Sequence, residues 1–482
     1  MFDVQTRSAG VLLHPTSLPS GVLGVDAYRF VDFLAEAGFS LWQVLPLGPP
    51  HGDRSPYQSM SVHAGDPALI DWQYAVSRSW LTDAESRSVA DERKYFAAQG
   101  FGRQATESDK RAYREFCQTQ SSWLDDYSLF RALKLHYNGV SWCDWPKPLR
   151  DRDASALQQW ASQLAKEVEA FRFEQFVFFT QWQGIRDYAR QKGVGLFGDM
   201  PIFVAHDSAD VWGNPEIFRL DERGQPTVVA GVPPDYFSAT GQRWGNPLYN
   251  WDVLAQQNFA WWNQRMATQL GLFDVIRIDH FRGFEAYWEI AAEEKTAING
   301  HWELGPGAAF FEALQNKFGE QLPLVAEDLG VITEQVEALR EAFHLPGMKI
   351  LQFAFGGGAD NPYLPHNHAQ NSVVYTGTHD NNTTLGWWQE QPASVRQHVC
   401  DYLMCNESAM PVALVRSALA SRSRWCVLPL QDLLMLDGQH RMNVPGTEKG
   451  NWSWRFAWDQ FQPELATQCR QWLGLYGRLL PR

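Results

Sequence analysis

The sequence predicts an α/β fold, a (β/α)8 barrel with helical insertions between its strands. Three observations lead there. Eight short apolar runs stop at polar, Gly or Pro signals, six stretches of helical spacing lie among them, and no Pro/Gly/Ser linker or internal repeat cuts the chain. Strands buried on both faces read as continuous runs of Val, Ile, Leu and Phe. Eight of them alternating with helices favour a closed barrel over an open doubly wound sheet. A barrel with insertions absorbs all 482 residues as one catalytic unit, 1–482. The 45% hydrophobic content supplies its core and excludes intrinsic disorder.

In chain order the runs are Gly10–His14, Leu41–Leu47, Val194–Val204, Phe273–Asp279, Pro323–Glu327, Met348–Phe355, Val373–Asp380 and Cys426–Leu430. The helical stretches are Ala27–Ala37, Gln175–Gln191, Gln256–Leu270, Ala308–Phe318, Thr333–Phe343 and Ser394–Met404. Thr333 stands where an N-cap belongs, with Val336, Leu339 and Phe343 following at helical spacing. The interval Gly48–Gly193 far exceeds an ordinary connection. It carries helical patterns at Thr82–Phe96, Asp109–Gln120, Leu124–Leu135 and Ala154–Phe171, so residues 50–190 read as a helical insertion. A second insertion spans 204–255. Its stretch Pro233–Trp251 holds Pro233, Pro234, Gly241, Gly245 and Pro247, which should prevent continuous helix or sheet. Tyr236, Phe237 and Trp244 there need a partner, so 233–251 reads as a lid over the barrel mouth.

Charge and composition narrow the function. A net charge of −14 argues against nucleic acid or an acidic membrane surface as partner. The 22 Trp, 15 Tyr and 29 Phe exceed what a core needs, and aromatic faces stack on sugar rings. Six scattered cysteines form no CxxC pair and no metal-ligand spacing, as expected of reduced thiols in a cytoplasmic protein. The N-terminal residues show no signal-peptide pattern, and no window of about 18 apolar residues would span a bilayer. FGGGAD (Phe355–Asp360) lacks Walker spacing and reads as a loop. His366 and His368 lack a second ligand cluster, and Asp207–Trp212 lacks a calcium-loop pattern. Trp261–Trp262 and Trp387–Trp388 read as packing. No metal and no organic cofactor are expected.

Three acids close three runs: Asp279 in DVIRIDHFRG, Glu327 in PLVAEDLG and Asp380 in VVYTGTHDNN. Strand C-termini ring one mouth of a barrel, so these acids should converge there. Arg277 and Asp279 are two apart and face the same way on a strand. A cation beside a carboxylate favours its ionised form, as a nucleophile requires. Glu327 follows Pro-Leu-Val-Ala, and an apolar setting keeps a carboxyl protonated, as a general acid requires. That pair is the one used in retaining glycosidic chemistry. Asp380, with His379, would hold sugar hydroxyls.

The segments HPTSLPS (14–20), SPYQSMS (55–61), GDMPIFVAHDSADVW (198–212), PPDYFSATGQRWGNPLYNW (233–251), RIDHFRG (277–283), AEDLG (326–330), GTHDNNT (377–383) and NVPGT (443–447) closely resemble glycoside hydrolase family 77 of the α-amylase clan, the 4-α-glucanotransferases. The resemblance implies an α-amylase-clan-like barrel that acts on α-1,4-glucans and malto-oligosaccharides. It implies transfer of a glucan segment to an acceptor 4-hydroxyl through a covalent glucosyl-enzyme. It makes Asp279 the nucleophile, Glu327 the general acid/base and Asp380 the transition-state stabiliser. Tyr57, Asp199, Arg277 and His379 are placed around the transferred glucose, with Trp244 and Asn443 as further substrate-binding residues. Asn382 departs from the Asp common in the family, and Gly356–Gly358 from a stretch often acidic. A hydrolase using water as acceptor is the alternative enzyme. A glucan-binding protein with a dead site would need neither a nucleophile nor an acid.

Overall fold

A computed structural model of the chain describes residues 5–234, 238–447 and 449–479. In chain order the strands are β1 (Ser8–Leu12), β2 (Leu41–Gln43), β3 (Gly195–Pro201), β4 (Val228–Val232), β5 (Gln242–Pro247), β6 (Val275–Asp279), β7 (Ala286–Ala291), β8 (His301–Leu304), β9 (Leu324–Ala326), β10 (Gly347–Ile350), β11 (Ser372–Tyr375) and β12 (Trp425–Pro429). Eight of them form one parallel sheet in the order β10-β11-β12-β1-β2-β3-β6-β9. Its two ends meet where Ala326 N–H donates to Pro346 O at 2.8 Å, and Met348 N–H donates to Asp328 Oδ1 at 2.6 Å. The result is the expected (β/α)8 barrel.

Each barrel strand overlaps an apolar run; six are shorter than their runs, while β1 and β12 have the same length but begin two and one residues earlier. Pro46 and Pro49 follow β2 closely and offer no N–H to a ladder. The run Met348–Phe355 turns into a 3-10 helix at Leu351–Phe353. The run Val373–Asp380 is strand only to Tyr375, so Asp380 sits in the loop beyond it rather than at the strand's end. Leu12, Leu41, Phe197, Val275, Val325, Ile350, Val373, Tyr375 and Val427 fill the barrel interior as one buried cluster. The opposite faces of the same strands, with Val11, Ile276, Ile278 and Val374, join the outer core beneath the helices.

A four-stranded antiparallel sheet, β5-β4-β7-β8, was not expected. One of its strands, β5, lies inside 233–251, so that segment is in part strand, though not continuous sheet. Pro247 is tolerated as the last residue of an edge strand. Tyr236 and Phe237 lie outside the described residues. Helices fill the interval between β2 and β3. The pattern at Thr82–Phe96 is split into Asp83–Ser86 and Ala90–Gln104, the first closed at its start by a Thr82–Glu85 capping box. The long helix Ala165–Gln191 returns the chain to the barrel. There Trp182 Nε1 donates to Leu272 O at 2.9 Å. Asp207 pairs with Lys134 and accepts from Trp142 N–H, tying the inserted helices to the loop after β3. Trp262 is fully buried, and Trp261, Trp387 and Trp388 are nearly so, packing rather than presenting sugar platforms.

Candidate active site

Strand alternation builds the site. Residues two apart share a face, so Val275, Arg277 and Asp279 of β6 all point into the barrel. The same rule aligns Phe197 with Asp199 on β3, and Val325 of β9 with Glu327 just past its end. Phe197, Val275 and Val325 belong to the apolar interior. The charged residues form the next layer toward the strand C-termini. Parallel register places Asp199 beside Arg277 and Pro201 beside Asp279.

Arg277 organises that layer. Its Nη1 donates to both Asp199 oxygens at 2.7 Å, and Nη2 donates to Asp279 Oδ1 at 2.7 Å. Arg277 is 5% exposed and Asp199 1%. Burial alone would discharge a guanidinium, but the charges of Asp199 and Asp279 outweigh it and hold Arg277 well above its ordinary value. Burial pushes the Asp199 carboxyl up, with Arg277 opposing. Such a buried pair is weak evidence for stability. Its position against Asp279 gives it a better reason to exist.

Tyr57 Oη donates to Asp199 Oδ2 at 2.7 Å and lies 2.9 Å from His379 Nε2. A phenol has one proton, so with that proton on the carboxylate the second bond must come from His379 Nε2–H. The same nitrogen lies 3.4 Å from Asp380 Oδ2. Burial lowers the His379 pKa, but the charge and hydrogen bond of Asp380 win, and the imidazole sits above its usual value. In return Asp380 lies well below the carboxylate range. Desolvation by the surrounding cleft would raise it, although its side chain is half exposed, and the His379 charge and hydrogen bond together with the Asn443 amide overcome that. Asn443 Nδ2 donates to Asp380 Oδ1 at 2.7 Å, and Arg441 Nη2 donates to the Asp380 carbonyl at 2.9 Å. The Tyr57 ring stacks on the His379 ring at 5.3 Å, with Trp452 tilted against both. Tyr57→Phe keeps the ring and removes the hydroxyl that links Asp199 to His379. It is expected to lower kcat/KM by roughly 10- to 100-fold, the worth of one or two hydrogen bonds to charged groups. Steady-state kinetics on a malto-oligosaccharide checks this, and an unchanged value removes the hydroxyl from the site's function.

Glu327 is held differently. His280 N–H donates to Oε2 at 2.7 Å and Leu329 N–H donates to Oε1 at 3.1 Å. His280 takes the left-handed conformation, φ 52°, which turns the chain sharply after Asp279 and presents its amide to Glu327. Burial, then the charge of Asp279, raise the Glu327 pKa to about 7, over the opposing effects of Arg277 and the two amides. Asp279, bound to the Arg277 guanidinium, and Glu327, bound by two backbone amides, thus share one wall. A protonated Glu327 can donate to a leaving oxygen while both its oxygens still accept from the backbone.

That value sets a pH dependence. Where protonated Glu327 is the active form, kcat/KM is full below about pH 7 and falls as pH rises through it. The stability linkage has the same sign. The folded pKa lies above the unfolded one, so this contribution is complete below roughly pH 4.3 and lost as pH rises through about 7. A single-proton basic limb near pH 7 in kcat/KM is the expected profile. A flat profile from pH 6 to 9 excludes Glu327 as the controlling acid.

The loop bearing Asp380 is braced from below. Buried Asp432 accepts from Thr376 Oγ1 and from Thr384 N–H, at 2.7 Å in the latter case, on either side of that loop. Trp244 on β5 meets the His280 ring edge-on at 4.9 Å and lies 6.3 Å from Phe203, at the rim. All nine residues nominated from the sequence therefore gather here. Arg441, Trp452 and Asp432 were not nominated. Arg441 and Trp452 flank the NVPGT segment, which is the signal they carried, and Asp432 carried none. Asn382 points away from the acids, its Nδ2 donating to Glu390 at 2.9 Å. His366 bonds Tyr402 and Ala359 O, and buried His368 bonds Tyr363 O. Among the described residues no three His, Cys, Asp or Glu side chains gather as a metal site, and no helix is long and apolar enough to cross a membrane.

Comparison with known proteins identifies the family. The family described as 4-alpha-glucanotransferase, glycoside hydrolase family 77, matches residues 12–460. A 4-alpha-glucanotransferase of Thermus thermophilus is 48% identical, covering 96% of this chain and 97% of the relative. One of Synechocystis is 47% identical over 98% of each. The chloroplastic/amyloplastic 4-alpha-glucanotransferase of Solanum tuberosum is 43% identical over 98% of this chain and 87% of the relative. Among solved structures, amylomaltase from Streptococcus agalactiae in complex with acarbose superposes with a TM-score of 0.94 at 34% identity, covering 98% of this chain and all of that one. With the family model and these relatives matching along nearly the whole chain, the chain belongs to the 4-alpha-glucanotransferases of glycoside hydrolase family 77 and is an enzyme of that class.

Proposed function

We propose that this enzyme disproportionates α-1,4-glucans by retaining double displacement, with Asp279 as nucleophile and Glu327 as acid/base. Arg277 fixes Asp279 Oδ1 and leaves the other oxygen for the anomeric carbon. In the first step that oxygen forms the ester bond while the glycosidic C–O bond breaks and Glu327 gives its proton to the departing 4-oxygen. In the second, ionised Glu327 takes the proton of an acceptor 4-hydroxyl, which attacks the glucosyl ester and frees Asp279. Asp380, kept ionised by His379 and Asn443, faces the sugar and stabilises the positive charge that develops at its ring. The observation carrying this reading is the different environment of the two carboxyls, one on a guanidinium and the other desolvated and raised to about 7. The test is incubation with maltotriose and chromatography of the products. Longer malto-oligosaccharides with no net gain in reducing ends are expected. Accumulating reducing ends without longer products would make it a hydrolase. Free thiols at all six cysteines fit a reducing compartment, the cytoplasm, where soluble maltodextrin or glycogen would be the glucan.

The segment 233–251 acts, in this reading, as a lid that favours sugar over water as acceptor. Its described part is anchored to both walls. Asn246 Nδ2 donates to Val204 O at 2.8 Å, Gln58 Nε2 reaches Asn246 Oδ1 at 3.4 Å, and Trp244 covers His280. The Tyr57 loop is thus joined to it through Gln58. An acceptor sugar gains contacts there that water cannot replace. Trp244→Ala should lower the ratio of glucosyl transfer to released reducing ends several-fold. A ratio equal to that of the parent enzyme would mean the transfer bias originates elsewhere.

A further inference from the structure

The second sheet and the loop that follows Glu327 leave apolar side chains uncovered. Trp302 is 39% exposed, Leu304 77% and Val331 64%. Trp302 and Leu304 are two apart on β8, so they share a face, and they stand opposite Trp288 and Ala286 of β7. Leaving a tryptophan and two aliphatic side chains in water is costly, and such patches mark interaction sites. Trp302 is also held rigidly. The Arg282 guanidinium lies 3.7 Å from its ring centroid, and Trp288 meets it at 5.2 Å and 71°. A fixed aromatic ring loses little entropy when something stacks on it.

Its connections point to the occupant. Arg282 follows Asp279 by three residues, is itself 8% exposed, and donates from Nη1 to the carbonyl of Val331. Val331 lies in the loop that starts at Glu327 and leads to the helix at Glu334. Arg282 therefore ties Trp302 to the loop that carries Glu327. An acceptor chain that presents its terminal 4-hydroxyl to Glu327 must run outward from there, with its remaining sugars toward its reducing end. The CH faces of glucose rings are apolar and stack on aromatic rings.

We propose that Trp302, with Leu304 and Val331, is a binding platform for the distal sugars of a long α-1,4-glucan acceptor, and that Arg282 fixes it to the Glu327 loop. This rests on the transfer reading above. The platform gives the enzyme a preference for long acceptors over short ones.

The experiment compares glucose with maltopentaose as acceptor, at constant donor, through the ratio of their kcat/KM values. Trp302→Ala is expected to lower the maltopentaose-to-glucose ratio by about tenfold, the usual order for removing a central aromatic contact. Trp302→Phe should restore most of it, and kcat/KM with glucose should stay at the parent value in both variants, which a purely structural role for the ring would not predict. Leu304→Ala, at a position too exposed to affect folding, should lower the ratio by a smaller factor. An unchanged ratio in both Trp302→Ala and Leu304→Ala overturns the proposal, even if the patch then proves to hold a second copy of the chain. If the parent enzyme passes glucan to neither acceptor, the transfer reading falls first and the platform falls with it.

Discussion

Asp279→Asn is expected to abolish turnover, by about ten-thousandfold or more, while malto-oligosaccharide binding persists. The amide keeps the shape of the carboxyl, and its oxygen can still accept from Arg277 Nη2, where Asp279 Oδ1 now sits at 2.7 Å. What it cannot do is form the glucosyl ester. A second consequence separates loss of chemistry from loss of structure. The Asp279 charge is one of the two causes that raise Glu327, the other being burial. Removing it lets Arg277 and the two backbone amides act on Glu327 with less opposition, so the Glu327 pKa should fall below about 7 in the variant. Carboxyl-carbon NMR of labelled protein measures that shift, and calorimetry with a malto-oligosaccharide measures binding. Near-normal turnover in Asp279→Asn would remove the residue from its role. An unmoved Glu327 would mean that the two carboxyls do not sense each other.

Why some features were legible in the sequence and others were not has a physical basis. A parallel barrel strand is buried on both faces, so Val275–Asp279 and Leu324–Ala326 had to be apolar nearly throughout, and a charge within such a run stands out. Arg277 and Asp279 were visible for that reason. Asp199 was nominated only through resemblance, because an acid in GLFGDMP does not reveal which neighbour it faces. Its partner is set by the β3–β6 register, which no local pattern encodes. The second sheet was missed because its two edge strands, β5 and β8, are largely exposed and carry no apolar run. β8 reads HWEL, with three of its four residues in water, and β5 contains Gly245 and ends on Pro247. Those signals resemble a loop until β4 and β7 pair with β5 and β8. The turn at His280 was equally hidden, since a left-handed histidine has no sequence signature, and yet that turn aims an amide at Glu327. Asp380 was legible as an acid near a strand, but its low pKa depends on His379 and Asn443, the latter brought from a distant loop.

Glu327→Gln should be nearly inactive on malto-oligosaccharides, by roughly a thousandfold or more, because a glycosidic oxygen leaves poorly without a proton. A glucosyl fluoride needs no such help, so the variant should still load Asp279 and accumulate the glucosyl-enzyme, detectable by mass spectrometry of the intact protein. Glutamine is not a silent replacement here. Glu327 accepts from His280 N–H and from Leu329 N–H with separate oxygens, and an amide offers only one acceptor. Its NH2 would face a backbone donor, most cheaply that of Leu329, whose bond is the longer of the two at 3.1 Å. Some loss of positioning therefore accompanies loss of the proton, and a second variant has to divide them. Glu327→Ala removes both the acid and the misplaced donor, and leaves room for a small carboxylic acid. With added formate, this variant should regain part of its activity on glucosyl fluoride, because the second step needs a base to take the acceptor's 4-hydroxyl proton. It should stay inactive on maltotriose, where the first step also needs an acid held at the right oxygen. Equal loss on both donors, with no trapped species in either variant, would show that Glu327 shapes the site without donating the proton, and the acid would have to be sought elsewhere on the barrel mouth.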